Sequence, residues 1–130
     1  MTIVERVKSL NLPLDQLVVI GSGIVDALDM RASQDIDLAV SGQLFEQLRF
    51  SGDYQVNERH GDIVLERDDV EIWQDWGDDL PYDMLARGAV VIGGVQFCHP
   101  ATVLRWKQDH GRQKDTEDIQ LLRQYLGKTA

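Results

Sequence analysis

Leu17-Val18-Val19-Ile20 is followed directly by Gly21-Ser22-Gly23, and this junction limits what the chain can become more than any other stretch. Four apolar residues, mostly β-branched, are too few for a buried helix and read as a buried strand. The glycines turn the chain into Ile24-Val25-Asp26-Ala27-Leu28, a helix start. A strand, a glycine turn and a helix N-terminus in succession aim free N–H groups at one point, a geometry that binds anions.

The next strand begins at Asp35. Ile36, Leu38 and Val40 alternate onto one face, and Asp35 and Asp37 fall on the other. Two carboxylates one residue apart on a strand face can reach the same metal ion. Ahead of them, Arg31 sits in a loop and offers a fork of donors to a phosphate oxygen or to a local acid. Before the anion turn, Ile3, Val7 and Leu10 mark a short amphipathic helix that stops near Asn11 and Pro13.

Beyond Val40, Ser41-Gly42-Gln43 caps a helix carrying Leu44, Phe45 and Leu48. Strands are expected at 54–59, 63–67 and 70–76, turned at His60-Gly61-Asp62 and Asp68-Asp69 into an antiparallel meander. In the third of these, Val70 and Ile72 point one way and Glu71 and Trp73 the other. That leaves Glu71 as an acid in mid-strand, with Glu66, Asp69 and Asp75 as its rivals in the meander. Pro81 opens a short helix, Gly93-Gly94 joins a hairpin of short strands, and helices follow through 101–107 and from about Gln113 to Leu126, with Gly127 as the stop.

Charge narrows the partners. A formal net charge of −9 leaves no basic field for holding a phosphate backbone, which argues against a bulk nucleic-acid partner. Small phosphorylated ligands remain compatible, because a divalent cation reverses the sign of an acidic pocket locally. With 130 residues, no low-complexity run, no repeat and no segment resembling a signal peptide or a membrane span, the chain is expected to be one domain, 1–130, in the cytoplasm. The lone Cys98, inside Val95-Gln96-Phe97-Cys98, reads as a buried inert thiol. His60, His99 and His110 lack ligand spacing and suit turn and cap roles, and Trp73, Trp76 and Trp106 suit core or rim positions.

Gly21-Ser22 followed by Asp35-Ile36-Asp37-Leu38 resembles the nucleotidyltransferase superfamily of the DNA polymerase β type in its small bacterial form. The helix 101–107, the phrase Gly111-Arg112-Gln113-Lys114-Asp115 and Asp118-Ile119 are similar to the C-terminal helices of small members and toxin-like relatives. The resemblance implies an α/β (α+β) fold, with a mixed, largely antiparallel sheet flanked by helices and C-terminal helices. It also implies transfer of a nucleoside monophosphate from a nucleoside triphosphate (NTP) to a hydroxyl acceptor. Under it, Gly21 and Ser22 form the triphosphate turn, and Asp35, Asp37 and Glu71 hold Mg²⁺ or Mn²⁺, Glu71 also deprotonating the acceptor hydroxyl. Arg31, Lys107 and Lys114 then neutralise triphosphate charge, although Lys114 and Asp118 are also spaced as an i, i+4 pair on one helix. The alternative is a catalytically silent member that binds a partner protein or a second copy, as in a toxin–antitoxin pair.

Overall fold

In the computed structural model, which describes residues 1–77 and 79–129 (Lys128 and Thr129 by backbone only), Leu17–Ile20 forms β1 and every one of its side chains is buried. Such burial requires cover on both sheet faces, which is why this strand is apolar without alternation. α1, Ile3–Lys8, precedes it, with the Thr2 hydroxyl accepting from the Glu5 amide, and α2, Gly23–Ala27, follows the glycine turn. Gly21 has φ +67°, the left-handed region that glycine enters without steric cost. Gly23 answers a different need: a Cβ there would lie 2.2 Å from Val19 Cγ1, so α2 packs on β1 only because the side chain is missing.

β2, Ile36–Val40, pairs antiparallel with β1, setting Ile20 opposite Asp37. α3, Gly42–Arg49, starts at Ser41, whose hydroxyl accepts from the Leu44 amide at 3.2 Å. The meander forms as β3, Gln55–Arg59, β4, Asp62–Arg67, and β5, Val70–Trp73. β5 stops three residues short of the expected Trp76, because the Trp76 amide turns to the Leu80 carbonyl. It also lies parallel to β2, which matches Asp37 with Glu71.

After α4, Tyr82–Arg87, the hairpin of β6, Val90–Ile92, and β7, Val95–Phe97, adds to the other side of β1, with Val19 beside Phe97 in parallel. The sheet therefore runs β3-β4-β5-β2-β1-β7-β6, mixed but with antiparallel pairs in the majority. α5, Pro100–His110, ends at Gly111 in the left-handed region, and α6, Thr116–Thr129, packs beside it. The expected last helix differs at both ends. Gln113–Asp115 is a separate 3-10 turn, and Gly127 lies inside α6 and does not stop it. No helix among the described residues is long and apolar enough to cross a membrane.

Candidate active site

Strand register puts the acids side by side. Ile20 of β1 faces Asp37 of β2, Asp37 faces Glu71 of β5, and Glu71 faces Glu66 of β4, so one row across the sheet carries three carboxylates next to the glycine turn. The turn is close: a Cβ on Gly21 would lie 3.0 Å from Asp37 Oδ2. Of the meander's acids, only Glu71 stands directly beside Asp37. Glu66 is one strand further out, and Asp75 Oδ1 accepts from the Tyr82 amide at the start of α4.

Asp37 is half-buried and hydrogen-bonded to Glu71. Burial first, then the charges of Glu71 and Asp35 and that hydrogen bond, push its carboxyl up to about 7, against the pull of Lys107. A carboxyl so reluctant to ionise marks a place where cationic charge would be welcome. Arg59 of β3 answers part of it from the side, with Nη2 2.8 Å from both Glu71 Oε1 and Glu66 Oε2 and its guanidinium 5.5 Å from the Trp73 ring centroid.

Asp35 sits differently from the expectation. It is exposed and lies just before β2, since Ile36 is the first residue of the strand, its amide bonded to the Asp69 carbonyl. The Ser33 hydroxyl donates to the Asp35 carbonyl, and Arg6 holds the carbonyls of Ser33 and Gln34, so the segment leading to Asp35 is pinned to α1. Asp35 thus acts on Asp37 through its charge. Among the described residues, no three His, Cys, Asp or Glu side chains are gathered closely enough to form a metal-ligand cluster. The oxygen donors that come together are those of the Asp37–Glu71 pair, and Asp35 lines the same cleft.

The other wall is a buried ion network that joins α5, α6 and the glycine turn. Lys107, 1% exposed, places Nζ 2.7 Å from Asp115 Oδ1, 3.3 Å from Asp118 Oδ2 and 3.2 Å from Ser22 Oγ. Ser22 Oγ in turn donates to Asp118 Oδ2 at 2.6 Å. Arg31 reaches the same carboxylate with two donors, Nε at 2.5 Å and Nη2 at 2.9 Å, while Arg112 Nε donates to Asp115 at 2.6 Å. Burial works against ionising Asp115 and Asp118, but these hydrogen bonds and charges outweigh it and hold both carboxyls below their ordinary range. Within this network two carboxylates are answered by three cations.

This network corrects two expectations. Arg31 makes a long-range pair with Asp118, not a local loop contact. Lys114 and Asp118 form no helical pair: Lys114 is exposed in the 3-10 turn, and Asp118 faces inward at 1% exposure. The Ser22 hydroxyl is engaged with Asp118 and Lys107. Asp115 and Asp118 were not foreseen as site residues. The signal was available, since Asp118 lies four residues before the buried Leu122 and so on the inward side of its helix, where an acid needs cations.

One open cleft of about 990 Å³ is lined by Gly21, Ser22, Arg31, Asp35, Asp37 and Glu71. Lys107 and Lys114 line it as well, so every residue expected from the resemblance to bind nucleotide or metal meets there. His60 also lines the cleft, at the turn from β3 into β4 with φ +54°, whereas His99 caps α5 by accepting from the Ala101 amide and burial pushes the Cys98 thiol up to about 12.

No protein-family model and no characterised protein sequence matches the chain. Among solved structures it is similar to the crystal structure of the aminoglycoside nucleotidyltransferase ANT(2'')-Ia in complex with adenylyl-2''-tobramycin. The TM-score is 0.57 and the identity 20%, over 98% of this chain and 87% of that one. The chain therefore has a nucleotidyltransferase-like fold.

Proposed function

We propose that the protein is a metal-dependent nucleotidyltransferase that moves a nucleoside monophosphate from an NTP to a hydroxyl acceptor. The observation that carries this reading is the contact between Asp37 and Glu71, two hard oxygen donors of which Asp37 lies directly against Gly21 of the glycine turn. The donor chemistry fits a small divalent cation, because oxygen ligands suit Mg²⁺ and Mn²⁺, and burial first, then the charges of Glu71 and Asp35, leave the Asp37 carboxyl reluctant to ionise without one. Bound by Asp37 and Glu71, with Asp35 adding charge, Mg²⁺ would neutralise the triphosphate and favour the attacking alkoxide.

The chain's own residues divide the remaining work. The amides of the Gly21-Ser22 turn receive the triphosphate, and the charge of Arg31, Lys107 and Arg112, joined by Lys114, draws it to that end of the cleft. Asp115 and Asp118 hold Lys107 and Ser22 in place through the hydrogen bonds described above. The acceptor oxygen attacks the α-phosphorus, and a new phosphorus–oxygen bond forms. The bond to the β-phosphate oxygen breaks, pyrophosphate leaves, and the hydroxyl proton passes to the Glu71 carboxylate.

The acceptor is tested directly. ANT(2'')-Ia is seen with adenylyl-2''-tobramycin, so aminoglycosides enter the acceptor panel beside cell extract. With α-labelled ATP, GTP, CTP and UTP in Mg²⁺ or Mn²⁺, the wild type is expected to transfer label, and the double variant Asp37→Asn, Glu71→Gln is not. Transfer by the double variant would refute the role given to these acids. Metal-dependent NTP binding without transfer to any acceptor would favour the silent member of the fold.

A further inference from the structure

Three aromatic rings form a stack on the cleft wall that the reaction above leaves unused. Trp76, in the segment after β5, stacks on Trp106 of α5 with centroids 4.5 Å apart and planes 19° from parallel. Trp106 stacks on His110, one turn further along α5, at 3.8 Å and again 19°. All three rings line the cleft that holds Asp37, Glu71 and the glycine turn. The stack has a closed end and an open end, for Trp76 is 9% exposed, Trp106 half-buried and His110 exposed.

The open end is held rigid. His110 Nδ1 is 2.8 Å from the Trp106 carbonyl, which fixes the imidazole plane, and the Arg112 guanidinium lies 4.7 Å from the Trp106 ring centroid. A Trp–His pair four residues apart would earn a few tenths of a kcal/mol on any exposed helix. This pair faces inward across a cleft, and the residue after Trp106 is Lys107, whose ammonium touches Ser22. One helix thus presents an ordered aromatic plane beside the cation that fixes the glycine turn.

We propose that this stack is the nucleobase platform of the cleft: the base of the bound NTP continues the column at its His110 end, with its triphosphate at the Gly21-Ser22 turn. The assignment rests on the nucleotidyltransferase reading and adds which part of the chain holds the base. A platform of stacked rings reads π-surface and not hydrogen-bonding edges, so it accepts all four bases and favours the larger purines by a few-fold.

The test is calorimetry in Mg²⁺ with two probes, an α,β-methylene analogue of ATP and inorganic tripolyphosphate, on the wild type, His110→Ala and Trp106→Phe. The wild type is expected to bind the analogue more tightly than tripolyphosphate. His110→Ala, an exposed site outside the core, weakens the analogue about tenfold and tripolyphosphate less than about twofold, while Trp106→Phe, which keeps a ring in the column, retains most of the analogue's affinity. Equal binding of the two probes by the wild type, or an equal effect of His110→Ala on both, overturns the platform and leaves the triphosphate site standing. Binding of neither probe overturns the platform together with the reading it rests on.

Discussion

Asp37→Asn is expected to make the metal-free protein more stable, and to do so only where the carboxyl would be charged. In the fold its proton affinity is raised from 3.8 to about 7. At about 1.4 kcal/mol per decade of proton affinity, that difference corresponds to about 4 kcal/mol. The sign follows from proton uptake. Above about pH 7 the carboxyl is charged in both folded and unfolded states, and the fold bears the full penalty. As pH falls towards about 4 the folded form takes up its proton first, and the penalty fades until both states are neutral. Asn keeps the shape and offers Glu71 a permanent N–H donor, so urea denaturation in EDTA at about pH 8 should show the variant more stable by up to about 4 kcal/mol, with a melting temperature higher by up to about 15 °C. Near pH 5 most of the advantage disappears. Added Mg²⁺ supplies a second arm: it raises the stability of the wild type at about pH 8 and leaves the variant nearly unmoved. A variant less stable than wild type at about pH 8, or an advantage that does not change with pH, would refute the account of Asp37.

Two further substitutions probe the frame around the site. Lys107→Met removes the cation nearest both Asp115 and Asp118 and leaves them underpaired in a buried setting, which costs about 3–5 kcal/mol; both carboxyls are held low in the fold, so the loss is full at neutral pH and shrinks as pH falls below about 4, and a loss under about 1 kcal/mol by urea denaturation would contradict it. Gly23→Ala sets a methyl 2.2 Å from Val19 Cγ1 and is expected to destabilise by about 1–3 kcal/mol despite the better helix propensity of alanine, with Val19→Ala in the same chain recovering part of the loss in a double-mutant cycle.

Local pattern located most of the strands because burial at the sheet centre leaves a compositional trace. Leu17–Ile20 could be bounded to the residue, since an apolar β-branched run closed by Gly21 permits little else. β5 is shorter than expected because the alternation of Val70-Glu71-Ile72 does not carry on through Gln74-Asp75, and the Trp76 amide turns to the Leu80 carbonyl. That β5 runs parallel to β2 was not readable from either segment alone. Parallel pairing is settled by how the intervening chain crosses over, and nothing in Val70–Trp73 itself encodes its neighbour.

The site divides along the same line. Asp37 and Glu71 were visible because period-two alternation makes an acid between two buried apolar residues stand out, and register then joined two such acids from strands that are 30 residues apart in sequence but adjacent in the sheet. The ion network was hidden because sequence spacing offers every charge a cheaper local partner. Lys114 stood four residues from Asp118, but the 3-10 turn at Gln113–Asp115 interrupts the helix, and four residues across that break do not share a face. With Lys114 out of reach, Asp118 on the inward side of α6 could be buried only if cations came from elsewhere, and α5 and the loop before β2 supply Lys107 and Arg31. That necessity ties the C-terminal helices to Ser22, and it explains why a glycine turn near the start of the chain is held in place by residues near its end.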